Sequence, residues 1–255
     1  MSEENSIQVN FGKPMPLFPL DQATVLPQQV LPLHIFEPRY RQMVEHALDG
    51  AGQIAMAVFE GNRWKQEYHG RPPLRPAVCI AQIVQHEKLP DGRYNLLIQG
   101  VCRAKIIREL GPEKERQYRL ALLEPVGVGL PGPESGLESI EGEEILGPSD
   151  DNSPALSEVR NRIREMLDEG PLTQMMHAAA VLEYVKNDEL PTSAVLELVS
   201  FTLITDPRLR YQLLAEPHAE DRARIIVGEL EHLSGLIRRA AEQHPEDWPK
   251  GCSWN

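Results

Sequence analysis

The sequence predicts an α+β chain in which a strand-rich first half precedes a helical bundle. Three observations carry that expectation. Residues 14–124 hold short apolar runs rich in Val, Ile and Leu, punctuated by Gly, Pro, Asp and Asn. Residues 153–243 hold apolar side chains at spacings of three and four, the period of a half-buried helix. Between them, residues 125–157 contain no Lys or Arg, seven acidic residues and repeated Pro, Gly and Ser. Such a stretch buries too little apolar surface to offset the entropy of ordering it. Residues 125–152 are therefore expected as a flexible acidic linker, with a short helical attempt near 136–146. Residues 1–13 are expected as a disordered N-terminus and 244–255 as a loose tail, where Trp248 and Trp254 suggest a fold-back onto the body.

The strand half reads in order. Residues 30–36 (Val30-Leu31-Pro32-Leu33-His34-Ile35-Phe36) form a short apolar run whose proline suits an edge or barrel-rim strand. Pro38 occupies a first-turn position and opens a helix to Leu48, with Tyr40, Met43, Val44 and Ala47 on one face and Gly50 as its stop. Residues 53–59 read as a buried strand closed by Glu60-Gly61-Asn62. Residues 77–87 and 93–98 flank Asp91-Gly92, a pair that supplies the positive φ angles of a tight hairpin. Gly100 is expected to punctuate the second of these before a further run at 104–108, and residues 118–123 form the last strand.

In the helical half, Ser153-Pro154 reads as a cap followed by proline at the first helical position. The stripe behind it is Leu156, Val159, Ile163, Met166 and Leu167. A second helix is expected over 172–185 after Pro171, a third after Pro191-Thr192-Ser193, and a short fourth after Asp206-Pro207. The longest runs over about 217–242, with Ala223, Ile226, Leu230, Leu233 and Ile237 on one seam.

Composition narrows the function. The formal charge is −12, but residues 13–124 hold 15 basic and 12 acidic side chains, so the negative excess lies elsewhere. That total disfavours nucleic acid, whose binding draws on phosphate neutralisation. No apolar run is long enough to span a membrane. The acidic N-terminus lacks the basic start and apolar core of a signal peptide, and three cysteines without a CxxC pair argue against a disulfide framework. A cytoplasmic protein is the expectation.

Catalytic apparatus is missing in its usual forms. Gly12-Lys13 precedes Pro14 and lacks the glycine spacing of a phosphate loop, and His86-Glu87 runs into Lys88-Leu89-Pro90 without a second histidine. His34, His69 and His86, with Glu37 or Glu67, are irregularly spaced for a metal site. No metal and no cofactor are expected. Cys79 and Cys102 lie in apolar strand segments and read as small buried hydrophobes. Tyr94 with Arg93 and Arg103 outlines an RNA-binding sheet, but aromatics total only 5%, too few for a stacking platform.

One motif carries a family resemblance. Met15-Pro16-Leu17-Phe18-Pro19-Leu20 leads through Val25-Leu26-Pro27 to Val30-Leu31-Pro32-Leu33-His34-Ile35-Phe36-Glu37-Pro38-Arg39-Tyr40. It resembles the N-terminal substrate-binding domain of Lon-type ATP-dependent proteases, especially its stand-alone bacterial form. The likeness continues through Ala81-Gln82-Ile83-Val84, residues 89–100 and Arg103-Ala104-Lys105-Ile106, and is weaker in Leu213-Leu214-Ala215-Glu216. Gln28-Gln29 and Ala77 stand where the family has glycines, and Ala104 where it has an aromatic.

The resemblance implies a PUA-like β pseudo-barrel over 14–124 with one inserted helix, then an α-helical bundle over 153–243. It implies recognition of unfolded or extended polypeptide, as an adaptor or regulator in protein quality control that works with a protease or chaperone. Lon enzymes continue into an ATPase module and a serine–lysine protease domain, and this sequence contains neither, so no catalytic residue is expected. A rim left partly unpaired by its prolines, with Leu33, Phe36, Arg39 and Tyr40 nearby, is the expected substrate-binding surface. Nucleic-acid binding through the PUA-like barrel is the alternative.

Overall fold

In the computed structural model the described residues are 7–21, 23–61, 63–66, 70–127 and 153–242. Their strands are β1 (Met15–Leu20), β2 (Val30–Ile35), β3 (Gln53–Val58), β4 (Ala77–Lys88), β5 (Tyr94–Glu109) and β6 (Arg119–Pro125). The sheet order is β2-β5-β4-β3-β1-β6, and β6 also pairs with β5. Five strands thus close a ring, and β2 lies outside it on the flank of β5. Only β1 and β3 run parallel; the other pairings are antiparallel. A helix, α1 (Pro38–Leu48), is inserted between β2 and β3 and buries the predicted face of Tyr40, Met43, Val44 and Ala47.

β5 makes the closure possible. Its 16 residues pair with β2 over 94–99 and with β6 over 104–109. The change of partner coincides with a bulge: Ile80 faces Cys102 and Ala81 faces Gly100, which leaves Val101 unpaired. A bulge bends a strand and increases its twist, as a closing sheet requires. Gly100 does not end a strand, contrary to the sequence expectation. A Cβ there would sit 2.2 Å from the Leu26 carbonyl oxygen. The glycine instead admits the loop before β2, whose Gln28 N–H donates to the Gly100 carbonyl at 2.8 Å.

β1 was not apparent as a strand because Pro16 and Pro19 argue against a central position. It is central nonetheless. Its ladders are short, three register pairs with β6 and four with β3. Inside the ring pack mostly small or slender side chains, among them Leu17, Ala55, Ala57, Val78 and Ala121. The alternate residues Ile54, Met56 and Val58 face a second core outside the ring, so β3 is buried at every position.

That outer core continues into the helical region, α2 (Pro154–Asp168), α3 (Ala178–Lys186), α4 (Thr192–Thr202), α5 (Pro207–Ala215) and α6 (Ala219–Glu242). The fold is the expected α+β one, a pseudo-barrel with an inserted helix followed by helices. Its helix ends differ in two places. The run at 172–185 is interrupted: a single 3₁₀ turn (Pro171–Gln174) is followed by His177 at φ 71°, which redirects the chain before α3. Ser153 does not cap α2 with its side chain; its Oγ donates to Glu220 at 2.7 Å. Asp206 does cap, accepting from the Arg208 and Leu209 N–H groups.

Ring and helices are joined by polar contacts as well as apolar ones. The Ala77 N–H at the start of β4 donates to the Tyr211 hydroxyl at 2.8 Å, and the Arg75 guanidinium lies 3.2 Å from the centre of that ring. Arg103 of β5 forms a bidentate pair with Glu197 of α4, at 2.7 and 2.9 Å, and donates Nε to the Leu213 carbonyl. Arg222 Nε lies 3.6 Å from the same carboxylate. All three side chains are buried, and burial lowers the Arg222 pKa to about 10. The linker proper, its helical attempt, residues 1–6, the tail with Trp248 and Trp254, and Glu67 and His69 lie outside the described residues. The rest of the expected disordered N-terminus, residues 7–13, is described: Val9 is buried in the ring core and the Gln8 carbonyl accepts from Gln53 Nε2 at 2.7 Å.

Candidate functional site

β2 is built as an edge. The Gly100 N–H donates to the Gln29 carbonyl at 2.9 Å, which fixes the phase of the β2–β5 ladder. In an antiparallel ladder successive residues turn their backbone groups to opposite sides. Leu31, Leu33 and Ile35 therefore bond toward β5, and Val30, Pro32 and His34 present theirs to the free side. Pro32 contributes a carbonyl there but no N–H.

The side chains alternate in the same way. Ile35 is buried and Leu31 and Leu33 are half-buried against the outer core. Val30, Pro32, His34 and Phe36 point outward, with Val30 51% and Phe36 62% exposed. The His34 and Phe36 rings stack at 6.4 Å, which continues the stripe past the end of the strand. Beside it lie Leu97, opposite Pro32, and Val84, which a second bulge leaves unpaired and 47% exposed. Among the described residues no strand pairs with the outer side of β2, and the rim thus offers an apolar stripe along that edge.

The four expected site residues do not share one surface. Phe36 is on the stripe and Leu33 on its inner side. Tyr40 is buried, edge-on to Phe18 at 4.7 Å, with the Arg39 guanidinium 4.5 Å from its ring centre. Arg39 pairs with Glu37 at 3.1 Å. Arg39 and Tyr40 instead line a pocket of about 460 Å³ between the start of α1 and the segment before β6. Val30, Val84 and Leu97 escaped the sequence reading. Val30 and Phe36 share a parity along the chain that would have grouped them, but Val84 and Leu97 join only through cross-strand register.

His34 bonds Asn95 through Nδ1 at 2.8 Å and contacts Arg93 through Nε2 at 3.2 Å. Among the described residues no three His, Cys, Asp or Glu side chains converge on a point that suits a metal. Cys79 and Cys102 are buried; desolvation pushes the Cys79 thiol far up and the Cys102 thiol up to about 12. Of the outlined RNA-binding sheet, Tyr94 and Arg103 are buried, the phenol donating to Glu45, and Arg93 is exposed. No helix among the described residues is long and apolar enough to cross a membrane.

Comparison with known proteins identifies the family. The family model described as the ATP-dependent protease La (LON) substrate-binding domain matches residues 14–232. The chain belongs to that family. Among solved structures, this LON substrate-binding chain is similar to the N-terminal domain of a Mycobacterium avium complex Lon protease. The TM-score is 0.57 at 19% identity, over 86% of this chain and 98% of that one. A Lon N-terminal domain protein from Xanthomonas campestris aligns with TM-score 0.50 at 16% identity, over 82% and 94% of the two chains. Among curated proteins, Lon protease 1 of Syntrophobacter fumaroxidans is 25% identical over 166 residues, 65% of this chain and 17% of that protein. Lon protease of Escherichia coli is 33% identical over 92 residues, 36% and 12% respectively. The chain therefore spans less than a fifth of the length of these curated relatives.

Proposed function

We propose that this chain binds polypeptide in extended conformation along the free edge of β2 and performs no chemistry on it. The observation that carries the reading is the outward stripe of Val30, Pro32 and Phe36 beside unpaired backbone groups. A guest strand gains affinity from main-chain hydrogen bonds to such an edge and selectivity from alternate side chains laid on the apolar stripe. The description of the family as substrate-binding supports the same reading. The role is that of a cytoplasmic adaptor or regulator that hands unfolded chains to a protease or chaperone. Leu33 supports the stripe from behind, and Arg39 and Tyr40 flank it at the start of α1.

The test is fluorescence anisotropy with a labelled, permanently unfolded polypeptide, reduced and alkylated so that it cannot refold. Phe36→Asp and Val30→Asp are expected to weaken binding at least tenfold while leaving the melting temperature in place, because both side chains are exposed. Binding unchanged in both variants, or absent in the unmodified chain, would refute the reading.

A further inference from the structure

A polar row crosses the apolar stripe beside β2. His34 of β2, Asn95 of β5 and Glu87 of β4 lie side by side in register. Arg93 Nη1 is 3.2 Å from His34 Nε2, His34 Nδ1 is 2.8 Å from Asn95 Oδ1, and Asn95 Nδ2 is 3.0 Å from a Glu87 carboxylate oxygen. Both ends of this chain have a fixed sense, because a guanidinium only donates and an ionised carboxylate only accepts. Arg93 therefore donates to Nε2, Asn95 donates to Glu87, and Nδ1 carries the proton that Asn95 Oδ1 accepts. The ring is neutral in this arrangement, and both of its nitrogens are used. It sits in the stripe between Pro32 and Phe36, stacked on the Phe36 ring.

A further proton has to enter that ring at Nε2, whose lone pair Arg93 already binds. The imidazolium would then stand 3.2 Å from a guanidinium nitrogen, so Arg93 must withdraw. Asp91 is at hand to keep it, since Arg93 Nε reaches that carboxylate at 2.6 Å. Charged groups reach this corner from each neighbouring element: Glu87 and Lys88 at the end of β4, Asp91 and Arg93 in the turn to β5, and Glu37, Arg39 and Arg41 at the start of α1. Lys88 pairs with Glu45, Arg39 with Glu37, and Arg41 Nη1 donates to the Asp91 carbonyl. Hydrogen bonds from the Arg93 backbone N–H and then its guanidinium hold the Asp91 carboxyl below its ordinary value. Asp91 therefore stays charged over the range in which an imidazole titrates.

We propose that His34 makes guest binding acid-sensitive: the neutral ring, latched by Arg93, admits an uncharged extended chain along β2, and the protonated ring releases it. A guest residue opposite His34 sets its side chain against the imidazole and takes that ring out of water. Covering a neutral ring whose nitrogens are both hydrogen-bonded costs little, whereas covering an imidazolium beside Arg93 costs far more. Guest and proton thus compete, and each weakens the binding of the other by the same factor. The inference rests on the β2-edge reading and adds its regulation.

The experiment is fluorescence anisotropy of the full chain with an unstructured peptide free of Asp, Glu and His, blocked at both ends and labelled with a pH-insensitive rhodamine. Titrations run from about pH 8 to about pH 5, the range over which imidazoles change charge, with folding checked by melting temperature at each pH. Affinity is expected to fall by about fivefold or more toward the acid end. In His34→Gln the affinity is expected to be flat across the range, whatever its absolute value. In Arg93→Gln the charge that opposes the imidazolium is gone, and the midpoint of the fall is expected to move to higher pH. A merely structural role of Arg93 would leave that midpoint in place. If His34→Gln abolishes binding, the Arg93→Gln midpoint decides. Affinity independent of pH, tighter binding in acid, a fall that survives His34→Gln, or an unmoved midpoint in Arg93→Gln would overturn the proposal and leave the edge reading standing. Absence of binding at every pH would refute the edge reading, and this proposal with it.

Discussion

Glu197 stands between two buried guanidinium groups, Arg103 in a bidentate grip and Arg222 at 3.6 Å. Removing the carboxylate leaves both cations in a low-dielectric site with only carbonyl partners. Glu197→Ala is expected to lower unfolding free energy by about 3–5 kcal/mol, the usual effect of orphaning a buried charge. A urea midpoint that does not move would contradict it. The thiols give a second prediction. Burial raises the pKa of both Cys79 and Cys102, while in the unfolded chain each ionises near 9.0. Above that pH the unfolded state binds fewer protons than the folded one, so stability falls as pH rises. The loss approaches about 1.4 kcal/mol per pH unit for each thiol until the folded thiol itself titrates. A Cys79→Ala, Cys102→Ala double variant is expected to show a shallower decline between about pH 9 and pH 12 in denaturant titrations, the window set by those shifts. Identical slopes would remove the thiols from the account.

At the scale of elements, α6 was legible from the sequence because helical period and burial coincide. Ala223, Ile226 and Leu230 are fully buried, and Leu233 and Ile237 pack at the margin of the same core. Leu230→Ala is expected to cost about 2–5 kcal/mol by thermal or urea unfolding, with Leu236→Ala, at an exposed position on the same helix, within about 0.5 kcal/mol of the parent. A large effect at Leu236, or a small one at Leu230 with a change in oligomeric mass, would reassign the seam to an interface. β1 was illegible for the opposite reason: its prolines contradict a central strand locally, and only its two neighbours override them. The joint of Arg103 with Glu197 links residues 94 positions apart, and no local pattern announces such a pair. The candidate site divides similarly. Phe36 could be named from its type and its place after an edge strand. Its companions Val84 and Leu97 depend on register, and the pocket lined by Arg39 and Tyr40 depends on how α1 meets the segment before β6.

Across the whole molecule, the ring and the helices share one apolar core and the polar joints at Tyr211 and Arg103. They are therefore expected to unfold together despite their different secondary structure. Native-state hydrogen exchange should give the slowest amides of β5 and of α4 the same opening free energy. Tyr211→Phe, which orphans the Ala77 N–H, should lower both by about 1–3 kcal/mol. Two separate opening energies, or a loss confined to one region, would mean that the halves are independent.

Pro32 has a further effect when many copies of this protein share a solution. An open strand edge is also a template for copies of itself, and stacking of such edges is how soluble sheets begin to form fibrils. With no N–H at the middle of its outward row, β2 cannot build an unbroken ladder with another β2. A guest chain can tolerate one missing bond; a growing stack would repeat the gap at every layer. The residue that limits how tightly this edge holds a guest thus also limits how readily the protein aggregates.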